Sequence, residues 1–148
     1  MSLERSEIIL TIPCLPDLDL SANRRRSRHF MRQARDTANE RTQAGLILIT
    51  AAREARVDAL PRFNELGMRI DGWPPTTPIV LHWTLYWPRG IRSRDADGCA
   101  DLLKPWQDAM VDLRWIKNDS PRYVGRVSYE SVPSSLKGPS MTLRIESG

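Results

Sequence analysis

Apolar and polar positions along the 148-residue chain fall into segments of period two and segments of helical period. Glu7 to Ile12 reads as a short strand, ended by Pro13 and Pro16, with a loop from Pro16 to Asn23. From about Asp36 to Leu60, Ala44, Ile47, Leu48, Ala51, Ala52 and Ala55 recur at steps of three and four, which predicts a helix closed near Pro61. Residues 61–78 carry Gly67, Gly72, Pro74, Pro75 and Pro78 and read as a connector. Ile79 to Trp87 alternates strictly. Ile79, Leu81, Trp83, Leu85 and Trp87 share one face, and Val80, His82, Thr84 and Tyr86 share the other, so both faces are at least partly covered. Residues 88–100 form a polar loop. A second helix runs to about Leu113, with Cys99, Leu102, Leu103, Trp106, Met110 and Leu113 on one stripe. Proline is tolerated in a first helical turn and costly deeper in. Pro105 therefore puts the start at or just before Asp101, with Asp97 or Asp101 as the cap. Arg122 to Val132 and Ser140 to Glu146 read as strands joined as a hairpin through the turn-rich residues 133–138. The order is strand, helix, strand, helix, strand, strand. It predicts an α/β (α+β) single domain over residues 1–148, with a mixed sheet of about four strands packed by two main helices.

Composition narrows the class. No apolar run approaches the length of a membrane span, and the N-terminus lacks a basic-then-apolar leader, so no membrane partner is expected. Cys14 and Cys99 form no metal or disulfide pattern, and the expected setting is reduced and cytoplasmic. No glycine-rich phosphate loop of Walker or Rossmann type is present, which argues against a nucleotide cofactor.

The net charge is only +4, but residues 24–35 hold six arginines and no acid. Guanidinium groups fork onto phosphates and release counterions, so such a block suits a polyanion. A second basic group, Arg89, Arg92 and Arg94, abuts a run of aspartates, Asp95 and Asp97. Lys104 and Asp108 follow at helical spacing, and Asp119 comes after the second helix. Carboxylates with few neutral ligands make a hard oxygen site suited to magnesium or manganese. The same residues also have ordinary uses: aspartates cap helices, Asn118-Asp119-Ser120 has turn chemistry, and Lys104/Asp108 makes a surface pair. His82 lies mid-strand and reads as structural.

Arg92-Ser93-Arg94-Asp95-Ala96-Asp97-Gly98, Lys104, Asp108-Ala109-Met110 and Asn118-Asp119-Ser120-Pro121-Arg122-Tyr123-Val124 together resemble the RusA family of Holliday junction resolvases. These are small phage- and prophage-type endodeoxyribonucleases. Ser21-Ala22-Asn23-Arg24 resembles the family's N-terminal motif. The chain departs from the family pattern at Gly98, where Asn is usual, and at Asn118, the first position of the later acidic pair. Lys104 also comes about three residues later than in the compact motif.

The resemblance implies Asp95, Asp97 and Asp119 as metal ligands, with Asp101 the alternative to Asp97, and Lys104 as a catalytic or phosphate-orienting residue. It implies Mg2+, with Mn2+ a possible substitute. The partner would be four-way junction DNA, cut in paired symmetric strands by a homodimer in recombination and repair. Asn23, Arg24, Arg25, Arg26, Arg28, Arg92 and Arg94 would hold the DNA. Two alternatives stand beside this. One is a catalytically weak or inactive basic protein that binds DNA junctions, suggested by Gly98 and Asn118. The other is a small metal-dependent phosphoesterase, which would have no use for so long a basic surface.

Overall fold

The computed structural model describes residues 7–18, 30–57, 62–68 and 78–147; the side chains of residues 30–33 are not described. The elements are β1 (Glu7–Ile12), α1 (Phe30–Glu54), β2 (Ile79–Tyr86), α2 (Ala96–Asp112), β3 (Val124–Val132) and β4 (Ser140–Ser147). They make a small α+β domain with one four-stranded mixed sheet in the order β1-β4-β2-β3. β2 and β3 run parallel, and β4 is antiparallel to both β1 and β2.

The strand alternation sets the sheet's two faces. Leu10, Leu143, Trp83 and Tyr129 lie in register across all four strands, on the face that α1 and α2 cover. Trp83, Trp87 and Trp106 are fully buried, and Trp83 meets Trp106 edge to face at 6.4 Å. These three tryptophans belong to the core. On the opposite face Val80, His82, Thr84 and Tyr86 are half-buried. There His82 contacts Ser128 through Nδ1 and lies 3.5 Å from Glu146 through Nε2, in keeping with a structural role.

The expected β3–β4 hairpin is not formed. After β3 the chain crosses over the end of β2 instead of turning back, and β4 then enters on the far edge of β2. Ser135 donates its N–H to the Trp87 carbonyl at 2.8 Å, and Gly138 presses against the Tyr86 carbonyl and the Pro88 nitrogen. A β-carbon at Gly138 would stand 2.6 Å from both atoms.

Both helices also depart from their expected bounds. α1 starts at Phe30 and ends at Glu54. Its last turn is closed by Val57 N–H to Ala52 O at 2.8 Å and Arg56 N–H to Arg53 O at 3.0 Å, with Arg56 at φ 57°. This left-handed terminus is usually a glycine, and an arginine gives no such punctuation in sequence. α2 starts at Ala96 rather than near Asp101, so Pro105 lies in its interior. Pro105 has no N–H to give, but it is buried in the stripe with Cys99, Leu102, Leu103, Trp106, Ala109 and Met110. Burial of the whole stripe, and not of Pro105 alone, offsets the local penalty of about 3 kcal/mol. Among the described residues no helix is long and apolar enough to cross a membrane.

Candidate functional site

α2 carries most of the residues singled out from sequence. Asp95 caps it in extended conformation, its Oδ1 accepting from the Gly98 N–H at 2.8 Å. The loop before it is anchored on the sheet, where Ser131 Oγ on β3 donates to the Arg94 carbonyl at 2.6 Å. Trp87 Nε1 donates to the same Ser131 hydroxyl at 3.1 Å. Asp95 is thereby fixed beyond the carboxyl ends of the parallel strands β2 and β3, the customary position for a site in such sheets.

Asp97, Asp101, Lys104 and Asp108 follow at steps of four, three and four, which at 3.6 residues per turn is a single stripe along α2. Lys104 Nζ reaches Asp108 Oδ1 at 3.1 Å and Asp119 Oδ2 at 2.7 Å. Asp119 comes from the turn after α2, where Asn118 Oδ1 accepts the Ser120 N–H at 2.9 Å and shapes the bend. Lys104 and Asp119 are each about half exposed, at 54% and 53%. The hydrogen bond with Lys104 is the main cause holding the Asp119 carboxyl below its ordinary range. The same bond raises the Lys104 ammonium, so both stay charged at neutral pH.

The structure thus joins Lys104, Asp108 and Asp119, but it does not gather Asp95, Asp97 and Asp119. Asp95 and Lys104 are nine positions apart on one helix, a rise of about 13 Å. The shorter helix expected from sequence would have left the loop free to fold Asp95 and Asp97 back toward Asp119. Asp101 is one turn from Lys104, and Asp97 is two. In sequence Asp108 reads both as a surface partner of Lys104 and as part of the motif that resembles the family, with no role of its own. The 97/101/104/108 spacing was the sequence signal that it belongs to the same stripe.

Arg92 is exposed and Arg94 half-buried, with Arg94 Nη1 donating to the Arg92 carbonyl at 3.1 Å. Asn23, Arg24, Arg25, Arg26 and Arg28 lie outside the described residues. Cys14 and Cys99 are free thiols, both pushed up in pKa chiefly by burial.

The donor set is chemically right for a hard divalent ion, since it consists of carboxylates. Its arrangement is not: one oxygen of Asp95 serves the helix cap and one oxygen of Asp119 holds Lys104. Among the described residues no group of three or more His, Cys, Asp or Glu side chains is placed to hold a metal ion. No protein-family model matches the chain, and no curated protein matches it.

Proposed function

We propose that this protein is a RusA-like, magnesium-dependent endodeoxyribonuclease that resolves four-way DNA junctions as a homodimer. The observation that carries the reading is the Lys104 bridge. Lys104, Asp108 and Asp119 are scattered over sixteen positions of sequence, yet their charged atoms meet within 3.1 Å. They are also positions at which the sequence resembles the family's motif. An ammonium held by two carboxylates is oriented in advance. It can neutralise charge developing on a phosphate without reorganising. As arranged, the described carboxylates do not form a ligand set for the ion. The arginines near the start of α2 and in residues 24–35 supply the phosphate contacts, which position DNA without reading its sequence. Two symmetric cuts require two sites, hence a dimer of twofold symmetry.

The test is a synthetic four-way junction incubated with the purified chain, with and without magnesium. Paired symmetric nicks in the magnesium lane are expected, with Asp119→Asn abolishing cutting while junction binding survives. An Asp119→Asn protein that cuts at the normal rate refutes the site. The second reading, a junction-binding protein without catalysis, is favoured by Gly98 and Asn118. It predicts salt-sensitive binding and no nicks at any magnesium or manganese concentration.

A further inference from the structure

We propose that the turn at residues 62–68 and the loop after α2 form a second contact with branched DNA, an apolar wedge flanked by phosphate-binding cations. This inference rests on the DNA-directed reading above.

The loop after α2 begins with Arg114 in left-handed conformation, φ 57°. Its carbonyl accepts the N–H groups of Arg62 at 2.8 Å and Phe63 at 3.1 Å, which ties the 62–68 turn to the end of the helix. Asn64 closes the turn, its Oδ1 accepting from the N–H groups of Leu66 and Met68 at 2.9 Å each. The consequence is that Leu66 and Met68 point outward, 81% and 58% exposed. The Lys117 stem runs across Gly67, so that a β-carbon at Gly67 would stand 2.7 Å from Lys117 Cε. Lys117 Nζ lies 5.6 Å from the Tyr123 ring centre and the Arg122 guanidinium 5.7 Å from it, while Phe63 packs edge-on at 6.0 Å.

An open groove of about 340 Å3 lies between the two segments, with Asn64, Glu65, Arg114, Lys117 and Asn118 among its walls. Among the described residues, none of Arg114, Lys117 and Arg122 is ion-paired to a carboxylate. Two cations in the groove walls, Arg114 and Lys117, outnumber the single acid Glu65, and Arg122 joins Lys117 at the Tyr123 ring, which calls for an anionic partner. The groove reaches Asn118, next to Asp119 and so to Lys104. A strand with one phosphate at Lys104 continues into the groove, and its neighbouring bases meet Leu66 and Met68. Leu and Met side chains are used elsewhere as wedges that part stacked base steps. Unstacking costs least where stacking is already broken, so the wedge favours the branch point over continuous duplex.

The test is fluorescence anisotropy of the full chain with a labelled four-way junction and a linear duplex of the same sequence, across a salt series. Variants are Lys117→Gln, Lys117→Arg, Leu66→Ser and Arg114→Gly, the last because the backbone there already suits glycine. Lys117→Gln and Arg114→Gly are each expected to weaken junction binding about tenfold near 0.1 M salt and to lower the log–log salt slope by about 0.9, the contribution of one phosphate contact. Lys117→Arg is expected to restore both, and Leu66→Ser to weaken binding to the junction but not to the duplex. Unchanged affinity and slope in folded Lys117→Gln and Arg114→Gly overturn the proposal. So does a Leu66→Ser protein that loses self-association, by sedimentation, while keeping its junction affinity. A wild-type chain that binds neither DNA overturns the DNA-directed reading itself, a result distinct from failure of the groove.

Discussion

Replacing Lys104 by Met separates what this lysine does for the fold from what it does for chemistry. The substitution keeps a straight-chain helix former in α2, so propensity changes little. It deletes the 2.7 Å bond to Asp119 and the 3.1 Å bond to Asp108. The Lys104 and Asp119 side chains are 54% and 53% exposed and Asp108 is 29% exposed, so water already screens these charges. Exposed pairs contribute roughly 0–1 kcal/mol each, and these two share one cation, so a loss of about 1 kcal/mol is expected. For a chain of this size that lowers the melting temperature by about 2–4 °C. A preorganised positive group at a reacting phosphate is worth far more, about 10²- to 10³-fold in rate. Circular-dichroism melts and single-turnover junction cleavage, run on the same preparations, read the two effects. A small shift in melting with a loss of at least a hundredfold in cleavage is expected. If Lys104→Met cuts at nearly the wild-type rate, the lysine is a surface pair and no more. If the fold collapses instead, the assignment of these pairs as solvent-screened is wrong.

Four further outcomes follow from single positions. Asp95→Ala should destabilise by about 1 kcal/mol in urea unfolding through loss of the α2 cap, whereas Asp95→Asn, which still offers an oxygen to the Gly98 N–H, should stay within a few tenths. Gly138→Ala should destabilise by more than about 2 kcal/mol, because the added carbon meets main-chain atoms at 2.6 Å that no side-chain rotation can clear. Arg56→Gly should raise stability by about 0.5 kcal/mol, since the strain of a left-handed arginine is relieved and only part is returned as unfolded-state entropy. Asp119 has a folded pKa below its ordinary value of 3.8, so its contribution is full above that value and is lost as pH falls through the lowered one. A stability–pH curve of Asp119→Asn should therefore lack that acid-side loss.

The parts of the fold legible in sequence were those with strict periodicity. The alternation of Ile79 to Trp87 placed a central strand correctly, and the Leu102/Leu103/Trp106/Met110 stripe marked the buried face of α2. What escaped was decided by tertiary contacts or by residues used against their habit. Arginines at φ 57° end both helices, where glycine is the usual signal. Pro105 reads as a first-turn residue, but core burial carries it inside the helix. The route of residues 133–139 over β2 depends on a close approach at Gly138 that no local pattern announces. At the candidate site, the residue types were legible and their grouping was not. A helix begun five residues earlier, at Ala96 rather than Asp101, moves Asp95 away from Asp119 and leaves Asp108 and Asp119 as the carboxylates that meet Lys104.

If the proposed DNA-directed reading holds, the charge pattern along α2 constrains how DNA can meet this surface. α2 carries Asp97 in its first turn and Asp101 and Asp108 further along the same stripe, joined by Asp119, with Lys104 as the cation of that stripe. A phosphate approaching there meets net negative charge and is repelled over the range of a Debye length, about 8–10 Å. Attraction has to come from the two ends. Arg92 and Arg94 stand before the N-terminus, and Arg114, Lys117 and Arg122 follow the C-terminus. A strand held at both ends is drawn across an acidic middle that it would not enter unaided. On the proposed junction-cleaving reading, affinity and cleavage are therefore carried by different residues. Neutralising basic residues at the ends should reduce binding and its salt dependence together, whereas neutralising Asp119 should leave binding equal or tighter while removing cleavage. A chain that loses affinity when Asp119 is neutralised would contradict this division, because it would show that binding, and not cleavage alone, depends on the Lys104 that Asp119 orients.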